Sequence, residues 1–181
     1  MVRSHSLKQR SRMRTSWTLG LLVGLIGCSS LAMAKPDGNE AAARALLQEF
    51  VKPGANVAEL SKKLAPTKAD YAAVFEGDAA AKAEAAYAPA WAGGQMVIAG
   101  KPDQTALLIF GSTTDELKAG TGNAKNFPGG YKTAAPQMKS GLTIYAFKFV
   151  APGATLGMAF DGLVWVNGHF AIFPKPWRFL K

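Results

Sequence analysis

Apolar residues recur at helical spacing from residue 37 to about residue 92. Leu46, Leu47, Phe50 and Val51 make one stripe, Val57, Leu60 and Leu64 a second, and Tyr71, Val74 and Phe75 a third. Asp37 with Glu40, Asn56 with Glu59, and Thr67 with Asp70 each set a capping residue three positions before an acid. That arrangement satisfies free amides at a helix start, so three starts are predicted. Pro53-Gly54, Pro66 and Gly77 punctuate between them. A fourth helix is predicted from Asp78 to about Trp91, with Tyr87 and Trp91 on one face and Pro89 kinking or shortening it.

After Gly93-Gly94 the period becomes that of strands. Met96 to Ala99 and Ala106 to Phe110 are short apolar runs separated by a polar turn, and Thr113 to Lys118 reads as a short capped helix. Ala119 to Gly130 reads as a loop long enough to be functional. Leu142 to Val150 and Met158 to Val166 are the longest strand patterns. Asn167-Gly168 then predicts a type I′ hairpin, because that turn needs positive φ at both central residues. The turn sets a register in which Val166 faces His169, Trp165 faces Phe170, Val164 faces Ala171 and Leu163 faces Ile172. Leu163, Trp165, Phe170 and Ile172 share one side, and Val164, Val166, Ala171 and Phe173 the other. Both sides are apolar, so the hairpin belongs inside a sheet covered on both faces. Pro174 and Pro176 end the last strand.

Helices first and an antiparallel sheet second is the order of an α+β fold, with N-terminal short helices packed on a curved antiparallel sheet. This order of elements resembles that of the NTF2-like (cystatin-like) family over most of the chain after residue 35, although no residue motif accompanies it. The resemblance implies a cone-shaped sheet wrapped around a helical layer with a pocket between them.

The chain has 181 residues, 49% of them apolar, one cysteine and a net charge of +9. Arg3, Lys8, Arg10, Arg12 and Arg14, with no acid before residue 35, supply five of those charges. An uncharged run from Thr15 to Ala34 follows, the layout of a secretory signal. Leu25-Ile26-Gly27-Cys28 resembles the bacterial lipobox, which implies cleavage before a lipidated Cys28. With Ser29 next, the resemblance implies sorting to the outer membrane, facing the periplasm. Ala32-Met33-Ala34 offers ordinary signal-peptidase cleavage before Lys35 and a soluble periplasmic or secreted product, and an uncleaved anchor is the third option. Residues 1–34 are thus read as signal and tether, and 35–181 as a single α+β domain. A body of about 150 residues buries roughly 68–70% of its unfolded surface, so one core suffices without disulfides or a structural metal.

With the leader set aside the remaining net charge is only +4, weak support for nucleic-acid binding. It is unevenly placed: residues 117–181 hold eight basic groups and one acid, Asp161. Lys132, Lys139, Lys175 and Arg178, interleaved with Tyr131, Trp177 and Phe179, suit an anionic envelope polymer, a lipid headgroup or an acidic protein. A solvated basic face, or a tail docking Trp177 onto the core, fits the same residues. Tyr145, Phe147 and Phe149 alternate onto one face, as core or as a ligand platform.

No phosphate loop, nucleophile elbow, cofactor motif or metal-ligand spacing is present, and a lipidated or removed Cys28 leaves no thiol. Asp115-Glu116 reads as the acidic first turn of a helix. Asp161 and His169 are the only acid and histidine of the last 65 residues. The hairpin register sets them about 17 Å apart and on opposite faces, which disfavours a catalytic dyad. These features predict a non-catalytic envelope binding or accessory module. The rivals are an NTF2-like enzyme using Asp161 or His169 in an apolar pocket, and a structural subunit of an envelope complex.

Overall fold

A computed structural model describes residues 38–180. Cys28, both cleavage sites and the basic leader lie outside the described residues, as do Asp37 and Lys181.

Helix α1 (Glu40–Gln48) starts from Asn39, whose side-chain oxygen accepts the Ala42 N–H at 2.9 Å. Glu40 is therefore the first helical residue, not the third as the Asp37–Glu40 pairing predicts. Helices α2 (Val57–Lys62) and α3 (Lys68–Val74) start from the expected caps, Asn56 and Thr67. Helix α4 (Gly77–Ala92) begins one residue before Asp78 and continues three residues past Pro89. Helix α5 (Thr114–Ala119) has a reciprocal cap between Thr113 and Glu116. The loop expected over 119–130 contains a 3-10 turn, Gly122–Asn126, and an unanticipated short helix α6 (Tyr131–Ala134) follows.

Strands β1 (Ala106–Thr113), β2 (Thr143–Val150), β3 (Gly157–Val166) and β4 (His169–Ile172) form an open antiparallel meander in that order. The β3–β4 register is the predicted one at all four pairs, with φ of 50° at Asn167 and 84° at Gly168. The strand expected over Met96–Ala99 is not formed. The Ile98 amide donates to Ser61 Oγ at 2.9 Å, so this segment lies along α2 rather than in the sheet.

Both faces of the sheet are buried. Leu163, Phe170 and Ile172, with Tyr145, Phe147 and Phe149, pack against Ala43 and Leu47 of α1, then Phe50 and Leu64. On the other face Val164, Val166, Ala171 and Phe173 pack against Tyr71, Val74, Tyr87 and Tyr131. Each large apolar side chain so enclosed contributes roughly 1.5–3 kcal/mol. Tyr145, Phe147 and Phe149 are at most 2% exposed, so their alternation is core packing. The helices divide between the two faces of the sheet. The single helical layer implied by the NTF2-like resemblance is not seen.

One buried carboxylate joins the helical half to the hairpin. Asp70 Oδ2 accepts from the Thr67 amide (2.6 Å) and hydroxyl (2.7 Å), and Oδ1 accepts from Asn167 Nδ2 (2.7 Å). His169 Nε2 lies 3.1 Å from Oδ2. Burial pushes the Asp70 carboxyl up, but the Asn167 and Thr67 hydrogen bonds and the His169 charge outweigh it and hold the carboxyl below its ordinary value. A depressed carboxylate stabilises the fold above its unfolded value, and that stabilisation is lost as pH falls through the folded one. We predict that Asp70→Ala lowers urea-measured stability at pH 7 by roughly 2–4 kcal/mol. The gap to wild type should begin to narrow as pH falls to the ordinary carboxylate value of about 3.9, and should go on narrowing until the native group protonates at a lower pH. An unchanged gap there would contradict this role.

Candidate functional site

Between Tyr145–Leu163 and Phe147–Phe160, β2 has one residue, Ala146, where β3 has two, Asp161 and Gly162. This is a β-bulge. Gly162 takes φ of +84°, and a side chain there would collide with the Phe173 carbonyl oxygen. The extra residue reverses alternation along the first half of β3. Phe160 stays with Phe147 and Phe149, while Asp161 turns to the side of α6. Regular alternation would put Asp161 with Leu163 and Trp165, on the face opposite His169; the bulge corrects that expectation and turns Asp161 to the Val164 side.

Asp161 is 4% exposed. Its Oδ1 accepts from the Tyr131 hydroxyl at 3.1 Å and from the Lys175 backbone N–H at 2.8 Å. No described donor reaches Oδ2. Burial pushes the carboxyl above its ordinary value, and the Lys175 amide, the Tyr131 hydroxyl and the charges of Lys175 and Arg178 only partly oppose this. Burial, reinforced by the Asp161 charge, pushes the phenols of Tyr131 and Tyr87 up, so both remain donors. Tyr87 spends its hydroxyl on the Pro174 carbonyl at 2.8 Å.

Two clefts share the wall formed by Ala159, Phe160 and Asp161. The larger, about 530 Å³, lies between α4, the segment 95–98, the first half of β3 and the C-terminal segment. Its presence follows from strand lengths. β4 pairs only with Leu163–Val166, and Pro174, which has no N–H, ends the ladder, so the earlier part of β3 has an edge without a strand partner. Trp91, Met96, Val97, Met158, Phe160 and Phe179 give this cleft an apolar lining, and the exposed Lys175 and Arg178 stand at it. The Trp91 indole N–H in the same wall is buried and has no described acceptor. The smaller cleft, about 300 Å³, is lined by Phe110, Phe127, Lys125, Asn126 and Lys148.

No family model, curated protein or solved structure matches this chain. The chemistry of the clefts therefore stands on geometry.

The basic residues named from the sequence do not form one surface. Lys175 and Arg178 meet at the larger cleft. Trp177 turns away to pack on Tyr131, ring centres 5.3 Å apart, and leaves room for nothing larger than glycine at Gly130. Its aromatic ring thus docks the tail on the core. Lys139 is paired with Glu76 at 2.9 Å, and exposed Lys132 lines a separate hollow beside Leu117 and Lys125. Asp161 and His169 serve different networks and make no dyad. Asp115 and Glu116 act locally, Asp115 accepting the Gly141 amide and Glu116 capping α5. Among the described residues no three His, Cys, Asp or Glu side chains converge as a metal site. Tyr131 and Tyr87 carry no sequence motif that marks them as site residues. In the sequence Tyr131 is one aromatic among basic residues, and the two glycines before it are the sole local sign of close packing.

Because the Tyr131 hydroxyl favours the charged carboxylate, Tyr131→Phe is predicted to move the titration of Asp161 to higher pH, at a stability cost of about 1 kcal/mol. Carboxyl carbon NMR shifts followed against pH measure this; an unmoved or lowered midpoint would refute the assigned hydrogen bond.

Proposed function

We propose that the domain is a non-catalytic binding module for an amphipathic anion, with an apolar body in the larger cleft and a negative head at Lys175 and Arg178. The observation that carries the reading is the pairing of two exposed cations with an apolar cleft of about 530 Å³, a volume suited to a small lipid-like molecule. Apolar burial supplies most of such affinity and the cations select the sign of the head. The probe for this is decanesulfonate displacing anilinonaphthalene sulfonate, compared with decyltrimethylammonium. The sulfonate should bind more tightly, and added salt should narrow the difference. The double variant Lys175→Gln with Arg178→Gln should weaken sulfonate binding roughly five-fold, as expected for two exposed charges worth about 0.5 kcal/mol each. Equal displacement by the cationic detergent would refute the reading.

We further propose that the chain is an exported envelope protein held at the outer membrane, facing the periplasm, through a lipidated Cys28, with an anionic lipid headgroup or acidic polymer as its partner. The support is the basic leader, the apolar run and the lipobox-like Leu25-Ile26-Gly27-Cys28. Several acyl chains on one cysteine would anchor it stably. Intact-mass measurement of membrane-extracted protein should give a chain beginning at an acylated Cys28, and Cys28→Ser should abolish that species. A mass corresponding to free Lys35 would favour the soluble periplasmic product instead.

A further inference from the structure

We propose that anion binding in the larger cleft is coupled to protonation of Asp161, so that the domain takes up its ligand in acid and releases it as pH rises. This deepens the binding reading and rests on it. Lys175 and Arg178 are the cations whose charges oppose the rise of the Asp161 carboxyl, and the same two side chains stand at the cleft where the ligand head would sit. A negative head and a negative Asp161 therefore compete for one pair of positive charges. The competition is sharpened by geometry. Both hydrogen bonds to the carboxyl converge on Oδ1, and Asp161 stands in the wall shared by both clefts, so its charge faces the same space as Lys175 and Arg178. Burial already favours the neutral acid, so the ligand needs to add only its own repulsion. By reciprocity, whatever makes the bound anion raise the proton affinity of Asp161 makes the proton raise the affinity for the anion.

The other groups around Asp161 do not replace it as the titrating partner. Tyr131 from α6 and Tyr87 from α4 are held protonated by burial. Lys125 and Lys148 line the smaller cleft on the far side of the shared wall. His169 is engaged with Asp70 at the hairpin end of β4.

The experiment is the dissociation constant of decanesulfonate, whose charge does not change over the range, measured from pH 4 to pH 9 on the intact chain. Affinity should fall as pH rises, by up to about ten-fold per pH unit within the window between the free and liganded titrations of Asp161. Asp161→Asn, which keeps an oxygen acceptor without the charge, should flatten the profile, and His169→Gln should preserve it. Calorimetry of the wild-type chain in buffers of different ionisation enthalpy supplies a reading that needs no variant, with uptake approaching about one proton per ligand inside the window. Measurable binding with a flat wild-type profile and no proton uptake overturns the coupling. A slope that survives Asp161→Asn also overturns it. Absence of sulfonate binding at every pH overturns the cleft reading beneath it.

Discussion

One inserted residue in β3 sets the position of the only acid in the last 65 residues of the chain. Without the bulge at Asp161-Gly162, alternation would carry the carboxyl toward Phe147, Phe149 and Leu163, into a largely apolar cluster and away from the Tyr131 hydroxyl. With the bulge the carboxyl meets the Tyr131 hydroxyl and the Lys175 amide. Glycine at 162 permits both the left-handed backbone and the approach of the Phe173 carbonyl, whose own amide returns a hydrogen bond to Gly162 at 2.9 Å. The bulge, the C-terminal segment and the cleft wall are one construction.

That construction depends in turn on where β4 stops. A strand of four residues against one of ten leaves part of the longer partner unpaired, and Pro174 prevents the ladder from continuing. The chain then takes a left-handed step at Lys175, φ 55°, which aims its amide at Asp161 and leaves its ammonium in solvent. Trp177 closes over Tyr131 and holds the tail in place. Lys175 thus contributes twice, by its backbone to the carboxyl and by its side chain to the cleft.

Local patterns were legible where a single mechanism dominates. Asn56, Thr67 and Thr113 cap helices as their spacing indicates, and Asn167-Gly168 determines four cross-strand pairs and the faces of eight side chains. The α+β order was legible too, since the change of hydrophobic period near Gly93 marks the passage from helices to sheet. What was not legible depends on contacts far apart in sequence. Met96–Ala99 has the composition of a strand, yet Ser61, 37 residues earlier, takes the Ile98 amide. The bulge leaves no mark beyond one glycine in a strand, and α6 is too short to show periodicity. Lys139 belongs by composition to the basic group, and only the fold sets it beside Glu76. The basic cluster read from composition therefore resolved into two residues at the cleft and others dispersed.

The sheet separates two apolar compartments, and Trp91, packed against both, is a side chain that bridges them. Changes of side-chain volume beneath α1 and changes beneath α3 and α6 then have few neighbours in common, and their energetic effects accumulate nearly independently. A lineage carrying this fold can remodel through ordinary drift those side chains under α1 that lie away from the larger cleft, whereas Ile98, Phe160 and Ile172 of the same layer line that cleft and are held with its carboxyl and cations. Trp91, in the wall of the same cleft, shares that constraint.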